Sequence, residues 1–203
     1  MKFFRNIKIA FSAALVITMI FSVVSFAETS EDISHRILRL HVIANSDSDE
    51  DQCLKLSVRD RVLEYCADIF DGSVNIENAV DRIAPKLDMI KDEAESFIKD
   101  NGYDYRVNVS LSEEYFTTRT YENVTLPAGR YLALRIIIGE GAGHNWWCVM
   151  FPPMCLPAAE KRDELGAVLT ADEINLVEKN PRYEMRFKIV EIYEEIKNRI
   201  NKG

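Results

Sequence analysis

An almost unbroken apolar run occupies residues 9–26, and three cations precede it. These cations are Lys2, Arg5 and Lys8. The run closes on Ser25-Phe26-Ala27, and small residues at 25 and 27 suit the narrow pocket of a signal peptidase. We therefore predict a secretory signal peptide over residues 1–27, with cleavage between Ala27 and Glu28.

The same run is also long enough to cross a bilayer, which takes roughly 18 to 20 apolar residues. An uncleaved membrane anchor is therefore the alternative to cleavage. With either outcome the leading cations stay on the cytoplasmic side, because positive charge resists translocation. We expect the rest of the chain, residues 28–203, to lie outside the cytoplasm.

The composition is that of one globular domain, with 203 residues of which 47% are hydrophobic and 29% charged. Acidic residues outnumber basic ones, 33 against 25, for a net charge of -8. A chain with this charge lacks the basic surface on which nucleic acids and anionic lipids bind. We expect no nucleic-acid partner and a single exported domain.

Hydrophobic periodicity predicts the order of the secondary structure. Apolar residues alternate at period two over residues 36–44 and 105–111, and a further short strand is expected over 117–121. Residues 131–138 are apolar on both faces, which predicts a central strand. Apolar residues recur at helical spacing over residues 49–70, 75–97 and 187–200. Pro85 is expected to break the second of these helices. These elements predict an α+β fold, in which helices pack on one mixed or antiparallel sheet of about four strands.

The densest group of unusual residues is Gly143-His-Asn-Trp-Trp-Cys-Val-Met-Phe-Pro-Pro-Met-Cys155. A Cys/His hydrolase would need His144 to accept the thiol proton of Cys148, and nothing in the spacing shows that the two side chains converge. A zinc site built on these residues and Cys155 lacks a fourth ligand. We expect no metal, no other cofactor and no small-molecule substrate.

Four cysteines occur in the chain. Cys148 and Cys155 can close a short disulfide loop across two prolines. Cys53 and Cys66 lie about 20 Å apart along one predicted helix, beyond the roughly 7 Å that a disulfide bridges. They are therefore either free thiols or bonded elsewhere.

Two further motifs have ordinary structural interpretations. Gly139-x-Gly-x-Gly143 lacks the spacing and the lysine of a phosphate loop, which favours a tight turn. The acidic cluster at 47, 49 and 51 lacks the glycine and the glutamate of a calcium loop, which favours the cap of the helix that follows. The aromatic side chains Trp146, Trp147 and Phe151 belong either to the core or to an exposed anchor of the kind that dominates interfaces.

Several segments together resemble the stage II sporulation protein R family. They are Arg39-Leu-His-Val-Ile-Ala-Asn-Ser-Asp47, Lys55-Leu-Ser-Val-Arg-Asp60, Pro127-Ala-Gly-Arg-Tyr131 and the stretch from Gly139 to Pro153. The resemblance implies a signalling protein, not an enzyme, that the forespore exports into the space between forespore and mother cell. There it would trigger a membrane-embedded aspartic peptidase, which matures the precursor of sigma-E.

Under this hypothesis the exported domain binds the outer part of the peptidase and favours its active state. The predicted contact residues are His144, Asn145, Trp146, Trp147, Phe151, Arg130, Asn45 and Asp47. Two other hypotheses stay open: a secreted Cys/His hydrolase that acts on peptide or cell-wall material, and a scaffold anchored by residues 9–26.

Overall fold

The computed structural model describes residues 2–70, 73, 75–121, 124–153, 168–177 and 184–200. The helices are α1 (Lys2–Ser34), α2 (Asp49–Cys66), α3 (Ile76–Ile83), α4 (Leu87–Asp100), α5 (Ala171–Val177) and α6 (Glu184–Ile200). The strands are β1 (Leu38–Ile43), β2 (Val107–Phe116), β3 (Arg119–Tyr121), β4 (Val124–Leu126), β5 (Gly129–Ile138) and β6 (Asn145–Phe151).

Four strands form one mixed sheet in the order β2-β5-β1-β6, and β3 and β4 pair separately. β1 runs parallel to β5 and antiparallel to β6, whereas β2 runs antiparallel to β5. The strand over 131–138, apolar on both faces, is one of the two central strands. The predicted α+β fold with a four-stranded sheet is confirmed.

β1 is buried on both faces, although its sequence shows only one apolar face. Leu38, Leu40 and Val42 lie in a first core against α2, α3 and α4. Arg39 and His41 on the opposite face are buried as well. That face belongs to a second core, which gathers the end of α1, β5, α5 and α6 and contains Phe26, Ile33, Phe116, Tyr131, Val149, Leu176 and Phe187.

Local sequence signals explain where the helices over the first core begin and where they are interrupted. Ser48 caps α2 by accepting a hydrogen bond from the Asp51 amide, and the acids of the first turn follow it. α2 ends at Cys66, four residues before the predicted end, and continues as a 3-10 turn over Ala67–Ile69. A second 3-10 turn over Ala84–Lys86 contains Pro85 and separates α3 from α4, because proline cannot continue the backbone hydrogen-bond ladder.

α1 is a continuous helix that extends past the predicted cleavage point. Within the described part of the chain it is the helix long and apolar enough to cross a membrane. Its apolar first part is exposed, whereas Phe26 and Ile33 near its end are buried in the second core. This helix is compatible with a signal peptide and with export, and cleavage after Ala27 remains a prediction.

Among the described elements, β4, β6 and α5 were not predicted. β6 carries consecutive apolar residues because neighbours cover both of its faces, so the alternation of a half-buried strand is absent. α5 has seven residues, too few for a helical period to stand out.

Candidate partner-binding surface

The loops that follow β1 and β5 lie next to each other at one end of the sheet, because these neighbouring strands are parallel. The amide of Gly143 donates to the carbonyl of Ala44 at 3.0 Å, and the amide of Ala142 donates to the carbonyl of Asn45 at 3.1 Å. We call residues 44–51 and 139–144 the loop cluster. It brings together two sequence motifs that lie almost a hundred residues apart.

The Asn45 side chain links the two loops of the loop cluster through hydrogen bonds. Its Oδ1 accepts the Glu140 amide at 3.0 Å, and its Nδ2 donates to Asp51 Oδ2 at 2.9 Å. The Ser46 hydroxyl donates to the same Asp51 oxygen at 2.5 Å. Burial alone would raise the pKa of Asp51, but hydrogen bonds from Ser46, Asn45 and Tyr105 outweigh it and lower that pKa. Asn45 therefore has a structural role here.

The glycine motif forms the predicted tight turn. Gly139 and Gly141 adopt positive φ angles of 56° and 61°. At Gly143 the reason for glycine is proximity, because a Cβ there would lie 2.1 Å from the carbonyl oxygen of Ser46. The loop after β5 can therefore approach the loop after β1 only without a side chain at this position.

His144 projects from the loop cluster and is held through its backbone. Its amide donates to Asp47 Oδ1 at 2.6 Å, and its ring Nδ1 hydrogen-bonds the same oxygen. The buried Lys55 ammonium donates to the His144 carbonyl at 3.0 Å and to Gln52 Oε1 at 2.5 Å. Burial lowers the pKa of Lys55. The His144 side chain itself is 78% exposed.

Trp146 lies two residues after His144, on the face of β6 that meets α2. Its ring is 36% exposed, and the Arg59 guanidinium of α2 lies 4.4 Å from its centre. Asp60 pairs with that guanidinium at 2.6 Å. We call His144, Asp47, Trp146 and Arg59 the exposed patch.

Asn145 and Trp147 point to the opposite face, where they surround His41. The His41 ring stacks on Trp147 with centroids 3.7 Å apart, and its Nε2 is 2.8 Å from Asn145 Oδ1. Its Nδ1 donates to Glu114 Oε2 at 2.5 Å. Both ring nitrogens of His41 are therefore hydrogen-bonded, and the ring is packed against Trp147.

Glu114 closes that arrangement from β2. Burial alone would raise its pKa, but the hydrogen bond and charge of His41 and the charge of Arg135 outweigh burial and lower the pKa. Phe116 of the same strand meets Trp147 edge-on at 4.7 Å. Asn145 and Trp147 therefore join the two edge strands of the sheet, which makes them structural residues in this fold.

Two of the predicted contact residues lie away from the exposed patch. Phe151 is 4% exposed and packs against Phe70 with ring centroids 5.9 Å apart. Arg130 is the second residue of β5, nine residues before Gly139, which corresponds to about 30 Å along the strand. It pairs there with Glu113 at 3.6 Å. The parallel pairing of β1 and β5 therefore puts Arg130 at the end of the sheet opposite to the loop cluster, away from the exposed patch.

Among the described residues of the His/Cys segment, the structure brings no nucleophile and base together. Cys148 is disulfide-bonded and 5% exposed, and it packs in the first core. The His144 ring points instead to Asp47. Cys155 lies outside the described residues, so its pairing with Cys148 stays a prediction, and Cys53 and Cys66 are free thiols. Among the residues that the structure describes, no three potential metal ligands are grouped to hold an ion.

Lys55 and Arg59 were not predicted as members of a site. They are four residues apart on α2, where one supports the backbone of His144 and the other covers Trp146. The sequence feature that could have identified them is their position beside the apolar stripe of α2, which contains Leu54 and Val58. Their spacing shows that they share a face, but only the fold shows that this face meets β6.

These observations define a small α+β domain behind an apolar helix, with an exposed aromatic patch instead of a convergent catalytic group in the described part of the chain. A family model described as stage II sporulation protein R matches residues 34–161, and the chain belongs to this family. It is 40% identical over 123 residues to stage II sporulation protein R of Bacillus subtilis (strain 168).

That alignment covers 61% of this chain and 55% of the relative. The chain therefore matches little more than half the length of that curated protein. No solved structure matches the chain. Family membership supports a role in sporulation, and the apolar N-terminal helix is consistent with export.

Proposed function

We propose that this chain is an exported signalling protein of endospore formation, which activates a membrane-embedded aspartic peptidase so that it processes pro-sigma-E. It acts in the space between forespore and mother cell. Family membership and the apolar helix α1 support the sporulation role and the export. The observation that carries the binding role is the exposed patch, in which Trp146 and Arg59 stand beside His144 and Asp47 on a rigid support.

The chemistry of the exposed patch suits protein recognition. Tryptophan and arginine are the residues that most often dominate binding energy at interfaces. The Arg59 guanidinium already lies over the Trp146 ring, so less side-chain entropy is lost when a partner binds. His144 is held by Asp47 and by the backbone contact of Lys55. Preorganisation of this kind favours a ligand that selects one conformation of its partner.

The test is cleavage of pro-sigma-E in a vegetative host that expresses the peptidase, its substrate and this chain. Trp146→Ala and His144→Ala are expected to reduce cleavage at least tenfold at equal protein level. Tyr193→Ala on α6 is the matched control, because it removes an aromatic ring that is 53% exposed on another face. Normal cleavage with both patch variants in a folded protein would show that the patch is not the contact surface.

Export is tested in the same host with and without residues 1–27. Cleavage of the precursor only when the exported form is present supports a signal across the membrane. A mature N-terminus at Glu28 would remove the anchored scaffold, whereas an intact N-terminus would favour it.

A secreted Cys/His hydrolase is the second candidate function. It predicts that His144→Ala and Cys148→Ser abolish activity and that a thiol-blocking reagent inhibits it. The disulfide at Cys148 and the pairing of His144 with Asp47 argue against this candidate, since neither group is arranged to activate the other.

A further inference from the structure

Arg39 is the second residue of β1, and its side chain is fully buried, at 0% exposure. Its Nε donates to the Cys148 carbonyl at 3.1 Å, and one terminal nitrogen donates to the Tyr121 hydroxyl at 2.5 Å. The other terminal nitrogen, Nη1, is buried and has no hydrogen-bond partner among the residues that the structure describes. Buried N–H groups are nearly always paired, so this one needs a physical explanation.

Three aromatic rings surround the Arg39 guanidinium. The guanidinium carbon lies 4.2 Å from the ring centre of Phe116, 5.0 Å from that of Tyr131 and 5.6 Å from that of Tyr121. Both hydrogen-bond acceptors that the described residues offer it are uncharged. Burial lowers the pKa of Arg39, and the nearby Tyr121 and Tyr131 offset this only in part. A buried cation without an anionic partner is strongly unfavourable, even among aromatic rings.

Tyr121 is the most exposed of the three aromatic rings around this guanidinium. Phe116 and Tyr131 are buried, whereas Tyr121 is half-buried on the short strand β3. The neighbouring Arg119 is exposed, and its charge acts on both Arg39 and Tyr121. Two cations therefore face the Tyr121 side chain in a chain whose net charge is -8. This arrangement attracts an anion.

We propose that Arg39 and Arg119 form a binding site for a carboxylate, which becomes accessible when the Tyr121 side chain turns outward. The hydroxyl of Tyr121 occupies the place of one carboxylate oxygen. A carboxylate that replaces it pairs in a bidentate manner with the two terminal nitrogens of Arg39 and satisfies Nη1. Arg119 attracts the ligand at the rim.

The carboxylate comes from an acidic side chain or a chain terminus of a protein partner. Identification of that partner as the peptidase rests on the proposed function, but the carboxylate site itself does not. Arg39 lies on the opposite face of the sheet from the exposed patch, so the two surfaces can be tested independently.

The first experiment measures the thermal midpoint of the full chain in detergent micelles. Sodium acetate replaces sodium chloride stepwise at constant ionic strength and neutral pH. We expect acetate to raise the midpoint of the wild type by several degrees and to leave Arg39→Met unchanged. Arg130→Met is the matched control, since it removes an arginine that pairs with Glu113, and it should respond as the wild type does. An equal response of wild type and Arg39→Met would overturn the proposal.

Tyr121→Phe keeps the test decisive if Arg39→Met does not fold. This variant keeps the ring and removes the hydroxyl that competes for Arg39, so acetate should act at a severalfold lower concentration. An unchanged concentration dependence would contradict the proposed role of Tyr121 and the site with it.

A second experiment separates the two sources of carboxylate. The probes are the capped peptide acetyl-Gly-Glu-Gly-amide and its glutamine counterpart. A larger midpoint shift with the glutamate peptide than with acetate assigns the site to a protein partner. A shift with acetate alone overturns the partner assignment and leaves a small-anion site, and no shift with either probe overturns the site. If acetate binds but Arg39→Met still supports normal pro-sigma-E cleavage, this site has no part in the proposed signalling.

Discussion

The Oδ1 atom of Asp47 is hydrogen-bonded to both the backbone amide and the imidazole of His144. The β1–α2 loop therefore fixes the position of His144, the residue that precedes β6. The amide hydrogen bond is 2.6 Å long and has a charged acceptor. The sequence separates these residues by 97 positions, and the parallel pairing of β1 and β5 brings them together.

Asp47→Ala should loosen the exposed patch more than it destabilises the fold. Because both side chains are exposed, we expect the free energy of unfolding to fall by no more than about 1 kcal/mol, the usual net value of one hydrogen bond. Peptidase activation should fall severalfold, and Asp47→Asn, which keeps an acceptor oxygen, should recover much of it. Urea denaturation and the cleavage assay measure the two effects. Full activation by a folded Asp47→Ala protein would show that the position of His144 is unimportant.

Gly143→Ala should destabilise the protein far more than Gly102→Ala. The Cβ of the first variant would lie 2.1 Å from a backbone oxygen of Ser46, which cannot move without shifting the loop. We expect a loss of at least about 3 kcal/mol, the upper part of the range for overpacking.

Gly102 is the matched control for that variant. It has a positive φ of 87° but open space where a Cβ would lie, so only the backbone strain of about 1 kcal/mol applies. Chemical denaturation of both variants gives the comparison. Equal losses would mean that the contact with Ser46 does not constrain the loop.

The sequence predicts the elements better than it predicts the site. The period of the apolar residues, Ser48 and Pro85 locate α2, α3 and α4, because these signals are local. The burial of Arg39 and His41 is not local, since it depends on α1, α5 and α6 covering the second face of β1. Trp146 and Trp147 are adjacent in sequence, yet alternation along β6 sends one to the exposed patch and the other to the His41 cluster.

Protonation of Glu114 should lower the free energy of unfolding in acid. Its pKa in the folded chain is below the ordinary value of 4.5, because the hydrogen bond and charge of His41 outweigh burial. The unfolded chain therefore binds this proton more tightly than the folded one, and protonation favours unfolding. The contribution of Glu114 is fully present above the unfolded pKa and is lost as the pH falls through the lower, folded pKa.

Glu114→Gln tests that dependence, since it removes the titrating group and keeps a hydrogen-bonding side chain. The difference in unfolding free energy between wild type and Glu114→Gln should shrink as the pH falls below 4.5. The acid transition of Asp51 is common to both proteins and cancels in the difference. A difference that stays constant on acidification would contradict the assignment to Glu114.

Cys53 and Cys66 should differ sharply in reactivity, although both are free thiols on or at the end of α2. Burial raises the pKa of Cys66 to about 12, so the thiolate that attacks an alkylating agent is scarce near neutral pH. Cys53 is exposed. Iodoacetamide should therefore label Cys53 in the native protein and Cys66 only after unfolding, as mass spectrometry of the corresponding peptides would show. Native labelling of Cys66 would contradict its burial.

Because neither thiol contributes to the exposed patch, the labelled protein should still activate the peptidase, whereas a thiol-dependent hydrolase would be inhibited.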